Sequence, residues 1–404
     1  MPRPPPRGRG AGAPGRGRRR RAARPRRCSG GRWPPARRRR RGAAPRTGRW
    51  DGAGPRSSRQ RSRGRGPGGA PLRGARGAGR TGPGCADAGV GEDWGGVDLR
   101  IFTEPHLGAT YEDQLRHARL TEECGFGAWF RSDHFLSRDG APGPTDAWVT
   151  LGALARETSR VRLGTLVTSV TFRHAGLTAV QVAQVDQMSG GRVELGLGAG
   201  WMEAEHTAHG VPFPEVGTRF DLLEDNLQVV TGMWATPPGE LFDHHGPTVT
   251  VSRSPGLPKP AQHPRPPIIL GGKGARRTPA LAARFADEFN LPFMAMDEGH
   301  AQFGRVDQAC HAAGRDPGTV LRSAALTAAV GRDEAEVARR VGATRQELGQ
   351  LRGHGLVGTP DEVVEQIGRW HERTGVERIY LQMLDLADLD HVELVAAAVL
   401  PQLG

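Results

Sequence analysis

Lysine is nearly absent. The chain has 404 residues, and Lys259 and Lys273 are its only lysines, against 54 arginines. Tyrosine occurs twice, and aromatic residues make up 5% of the chain. No run reaches the roughly 18 apolar residues of a membrane-spanning helix, so no membrane partner is expected. Of four cysteines, Cys28 and Cys85 lie near the N-terminus and Cys124 and Cys310 lie far apart. None shows CxxC or Cys/His metal spacing, which excludes a disulfide scaffold and a zinc ribbon. Cys124 and Cys310 read as small buried apolar residues in a reducing, cytoplasmic protein. HExxH, GxSxG and the Walker spacing are all missing, so no metal site, nucleophile elbow or P-loop is expected.

Acid is scarce at one end only. Residues 1–90 hold 27 arginines against Asp51 and Asp87, a net of +25; the rest of the chain carries −12, giving +13 in total. Residues 1–96 are rich in Arg, Gly and Pro and poor in large apolar side chains, so disorder is expected. As an arginine-rich arm they would bind nucleic acid through phosphates. As a targeting peptide they fit poorly, because they lack an apolar core and an amphipathic helix. The preferred reading is upstream GC-rich DNA translated from a misassigned start, with Val97 the true first residue. Nucleic acid is then not expected as a partner.

From residue 97 to 404, strand-like and helix-like patterns alternate. Strands are expected at 98–103, 128–131, 161–170, 193–197, 267–270, 287–291, 320–330 and 378–384. Helices are expected at 111–124, 145–158, 177–188, 220–234, 299–313, 360–374 and 389–400, with another following the fifth strand. A hairpin at 241–252 and a helical insertion through Leu351 interrupt the alternation. Eight strands, each followed by a helix, predict a parallel (β/α)8 TIM barrel, with a doubly wound sheet as the alternative.

A barrel carries its chemistry at the C-terminal ends of its strands. Those ends are Glu104, Asp133–His134, Val167 to Thr171, Gly198 to Trp201, Gly271–Gly272, Asn290 and Gln382. His134 is a candidate acid or base near neutral pH, and its neighbour Asp133 points to the opposite side. Gly271, Gly272, Lys273 and Gly274 lie between a strand and a helix, where backbone N–H groups can meet a phosphate. The tandem His244–His245 is expected at the surface. In RVELGLGAGW, residues 192–201, a strand runs into alternating glycines. The GxGxG spacing does not fit the GxGxxG dinucleotide fingerprint. Either a ligand approaches this backbone closely or the stretch is only a tight turn.

Five stretches together resemble the bacterial luciferase-like superfamily of flavin and deazaflavin enzymes. They are GFGAWFRSDHF (125–135), RLGTLVTSVTFRHAG (162–176), QVDQMSGGRVELGLGAGW (184–201), IILGGKG (268–274) and GTPDEVVEQI (358–367). The opening DLRIFTEPHLGATYEDQL is similar to an actinobacterial subgroup that uses the deazaflavin coenzyme F420. The resemblance spans residues 98–404. It implies a luciferase-like barrel that transfers hydride between F420 and a small organic substrate, with FMN-dependent monooxygenation as the alternative. A homodimer is expected. A cis non-proline peptide at Leu166–Val167 would support the cofactor ring. Thr168 and Ser169 would line the ring edge, with Asp133 nearby. Gly198 and Gly200 would leave room for the cofactor tail, and Gly271 and Gly272 would hold its phosphate. His134 matches the base of deazaflavin-dependent alcohol and sugar-phosphate dehydrogenases. The sugar-phosphate enzymes carry Glu where this chain has Trp201, which argues against a sugar phosphate and for Trp201 packing on cofactor or an apolar substrate.

Overall fold

The computed structural model describes residues 96–137 and 145–403. The arginine-rich segment lies outside them, apart from Gly96. Among the described residues, eight parallel strands close into a barrel. They are β1 (Asp98–Thr103), β2 (Ala128–Arg131), β3 (Arg162–Thr165), β4 (Val193–Gly198), β5 (Ile268–Gly271), β6 (Glu288–Pro292), β7 (Leu321–Val330) and β8 (Arg378–Met383). Each pairs with the next, and Asp98 opposite Arg378 joins β8 to β1. That closure rules out the doubly wound sheet.

Helices follow every strand: α1 (Tyr111–Glu123), α2 (Ala147–Glu157), α3 (Ala175–Ser189), α4 (Glu203–His209), α5 (Val216–Ala235), α6 (Arg277–Phe285), α7 (Met296–Ala312), α8 (Glu334–Thr344), α9 (Leu348–His354), α10 (Pro360–Thr374) and α11 (Leu389–Ala398). Local chemistry sets their starts. Thr110 and Asp113 cap α1 reciprocally, and Thr359 and Glu362 do the same for α10, where Pro360 takes the first turn. On α10, Val363, Ile367, Trp370 and Thr374 recur at helical spacing and are buried.

The main core lies between strands and helices, where Ile101, Leu163, Leu195 and Leu270 meet Leu151, Val182, Leu227 and Ala282. Inside the barrel, Phe102, Phe130, Ile269 and Tyr380 form a separate apolar layer. Below it, at the strand starts, Arg100 reaches Glu194 at 2.8 Å, and Arg162 and Arg378 pair with Glu194 and Glu288. These pairs fill the N-terminal end of the barrel and leave the opposite end for the site.

Four local differences from the sequence reading matter. The third strand is not continuous over 161–170. It stops at Thr165, and after a cis Leu166–Val167 peptide a two-residue strand, Thr168–Ser169, pairs with β4. A helix not among those expected, α4, lies just past Trp201. A three-residue strand, Leu356–Gly358, was not expected and extends the sheet beside the far end of β7. The hairpin is present as Phe242–His245 against Thr250–Ser254. His245 is exposed as expected, but His244 is not: its Nε2 lies 3.1 Å from Asp225, with its side chain 10% exposed.

Candidate active site at the barrel mouth

The end of β2 turns two neighbours in opposite directions. Asp133 points into the wall, 2% exposed. Arg173 binds both its oxygens, and Thr168 donates to it at 3.0 Å. Arg173 also reaches Asp146, the N-cap of α2, at 2.6 Å. Beneath them Arg131 is fully buried, donating to Gln114, Thr145, Thr150 and the Ser132 carbonyl. Burial pulls its pKa down to about 10, still charged at neutral pH. Asp133 therefore anchors the strand end and offers no open carboxylate.

His134 turns the other way, into the mouth. Its Nδ1 lies 3.0 and 3.2 Å from the two oxygens of Glu205, whose Oε2 also accepts the Phe135 N–H at 2.9 Å. Burial alone would lower the His134 pKa. The bond to Glu205 and the charges of Glu104, Glu205 and Asp133 outweigh it and hold the pKa above the usual histidine value. Burial works to raise Glu205, but the bonds from His134 and Phe135 prevail and keep its carboxyl low.

Glu104, past the end of β1, takes the Gln382 amide on Oε1 at 2.9 Å. Its Oε2 is buried with no hydrogen-bond partner and lies 3.3 Å from His106 Nδ1. Burial raises its pKa, and His106, His134 and Ser132 more than offset this, leaving it lowered. The rings of His106 and His134 sit 4.8 Å apart, and Trp201, 62% exposed, meets His134 edge-on at 5.5 Å.

The bulge after β3 carries Thr168 and Ser169. Thr168 is 1% exposed, and its hydroxyl is used by Trp148, Asp133 and Thr165, so it stands behind the mouth. Ser169 bonds Thr171, which in turn reaches His206 on α4. Gly198, at the end of β4, and Gly200, two residues on, abut this bulge. A Cβ on Gly198 would meet Val167 at 2.7 Å, and one on Gly200, at φ +79°, would strike the Ser169 hydroxyl. A side chain at either position would thus run into the bulge.

Past β5 the chain turns at Gly272, whose φ of +138° excludes side chains. Gln302 pins this turn by donating to the carbonyls of Gly272 and Gly274 at 3.0 and 2.9 Å. No acceptor among the described residues takes the N–H groups of Gly272 to Arg276, and α6 begins without a side-chain cap. Arg276 is exposed beside them. Gly271 packs against the Asn290 backbone instead, and Asn290 donates inward to Ser323 at 2.9 Å. The described residues contain no group of three metal-ligating side chains.

Sequence reasoning found His134 and missed Glu205, His106, Arg131 and Arg173. Glu205 lies four residues past Trp201, on a helix too short to show a period.

Fold and site together define a (β/α)8 barrel with an imidazole–carboxylate pair at the C-terminal ends of its strands. The chain belongs to the luciferase-like monooxygenase family, whose model matches residues 97–350. It is 36% identical over 173 residues to an F420-dependent glucose-6-phosphate dehydrogenase of Microbacterium testaceum, covering 42% of this chain and 49% of that one. It is 28% identical over 170 residues to an FMNH2-dependent dimethylsulfone monooxygenase of Pseudomonas putida, covering 42% and 46%. The chain thus spans about half the length of these curated relatives. The fold also matches an F420-dependent secondary alcohol dehydrogenase solved with an F420–acetone adduct, with TM-score 0.67 and 19% identity over 76% of this chain and 99% of that one.

Proposed function

We propose that the protein is an oxidoreductase that moves hydride between coenzyme F420 and an uncharged organic substrate. The observation that carries this reading is His134, largely buried at the end of β2 with its pKa raised by surrounding carboxylates. A group of that pKa, facing the mouth, can take a proton from a hydroxyl or return it to a carbonyl. The deazaflavin supplies the hydride chemistry; the protein supplies position and charge. Its residues suit the group. The open N–H groups of Gly272 to Arg276 suit a phosphate at the start of α6. The bulge at Leu166–Val167 forms a wall at the end of β3, with Ser169 beside it.

The substrate class follows from charge. A cleft of about 200 Å³ opens beside Glu104, lined by Leu107, Leu384 and Leu386 with Asp113 and Asp385, and by no basic residue. Its carboxylates, Glu104 among them, repel a phosphate ester, and the Trp201 ring edge-on to His134 offers apolar contact to an uncharged molecule. A homodimer in the cytoplasm belongs to the same reading; Cys124 and Cys310 are both unpaired.

The second reading is an FMN-dependent monooxygenase, which the P. putida relative favours. Fluorescence titration of the purified protein with F420 and with FMN separates the two. Saturable F420 binding is expected; tight FMN binding with none of F420 would overturn the first reading.

A further inference from the structure

We propose that Glu205 is the positioning residue for His134, fixing its Nδ1–H tautomer so that Nε2 is the nitrogen that exchanges the substrate proton. The reacting role rests on the oxidoreductase reading; the tautomer does not.

An ionised carboxylate can only accept. Both Glu205 oxygens lie within 3.2 Å of His134 Nδ1, and Oε2 also takes the Phe135 N–H. Nδ1 must therefore carry the proton. In the neutral ring this leaves the lone pair on Nε2.

No other charged group near His134 can do this. Glu104 and His106, from the end of β1, face each other, and Glu104 gives its second oxygen to Gln382. Asp133, on the same strand end, is held by Arg173 and Thr168. Glu205 alone bonds the imidazole. It is also rigidly held: Glu205 is 2% exposed, and His206 beside it bonds both the Met202 carbonyl and Thr171. These contacts tie α4 to the bulge that follows β3.

The chemistry balances. In oxidation the O–H bond of the substrate breaks and its proton passes to Nε2. The hydride leaves the adjacent carbon for the cofactor, and a carbonyl remains. The imidazolium that forms lies against the Glu205 carboxylate, in a site where neither charge is well solvated. Reduction of a carbonyl runs the same transfers backwards. α4, the helix just past Trp201, supplies this carboxylate.

The test is nitrogen NMR of 15N-histidine-labelled, cofactor-free protein, with His134→Ala used to assign the signal. The wild type is expected to show His134 protonated on Nδ1 when neutral. In Glu205→Gln the His134 titration midpoint is expected to fall by about 1–2 pH units. Turnover of that variant with F420 is expected to drop roughly 10²-fold in kcat with KM little changed. Its acidic limb should move down with the midpoint. Glu205→Asp should recover part of the loss. In a His134→Ala background, Glu205→Gln should cost nothing further. A wild-type ring protonated on Nε2, or an unmoved midpoint in a folded Glu205→Gln protein, would overturn the proposal. Because the spectra need no cofactor, they are independent of the F420 reading. If the tautomer and midpoint behave as expected but F420 is not turned over, that reading falls and the positioning role stands.

Discussion

Trp148 and Thr168 are joined across the wall of the barrel mouth: the indole N–H donates to the threonine hydroxyl at 3.0 Å, and that hydroxyl donates onward to Asp133 at 3.0 Å. One side chain thus satisfies a buried donor and a buried acceptor. Thr168→Val keeps the shape and removes both bonds. It is expected to cost about 1–3 kcal/mol, read as a lower denaturation midpoint in urea. An unchanged midpoint would show that the network adds no stability.

Gly198 and Val167 compete for the same space. Gly198→Ala is expected to destabilise the protein by about 1–3 kcal/mol through overpacking. Val167→Ala should make room, so the double variant should recover much of that loss. Strict additivity in the double-mutant cycle would contradict the packing described here.

These residues also show what the sequence could reveal. The barrel was legible because each strand and helix buries a face, and burial imposes a period. His134 was legible because a histidine stood at a strand end. The role of Gly198 was not: a glycine in sequence says that a Cβ is forbidden, and leaves open whether protein or ligand fills the gap. Glu205 was hidden for a different reason. It meets His134 across 71 residues of chain, from a helix of seven residues. No spacing encodes such a meeting, since it depends on how the loop after β4 folds over the mouth. The break in β3 was masked in the alternation by a continuous run of β-favouring residues; only the family resemblance pointed to a cis peptide at Leu166–Val167.

Acid should weaken the fold through two histidines away from the mouth. Burial lowers the pKa of His117 to about 4; burial, then Arg340, lowers that of His391 to about 3. His391 is held neutral by the Val330 N–H it accepts at 3.1 Å. Both are neutral in the fold and protonate in the unfolded chain below about pH 6.5. Unfolding then takes up protons, so their support is complete above that pH and falls as pH drops. At pH 5 the loss is about 2 kcal/mol for each. Urea unfolding at pH 7 and pH 5 measures it, and His391→Gln should shrink the difference. An equal difference in that variant would contradict the assignment.

Trp201 is exposed, so Trp201→Ala should leave thermal stability within about 0.5 kcal/mol. Its ring meets His134 edge-on at the barrel mouth, so KM for an apolar substrate should rise. A large loss of stability with unchanged KM would place Trp201 in the fold and remove it from the site.

The most direct measurement compares His134→Ala with the wild type, first in F420 binding and then in F420 turnover on a panel of uncharged alcohols. The account predicts unchanged F420 affinity and turnover lower by roughly 10²–10⁴. Normal binding with turnover at the wild-type rate would contradict it.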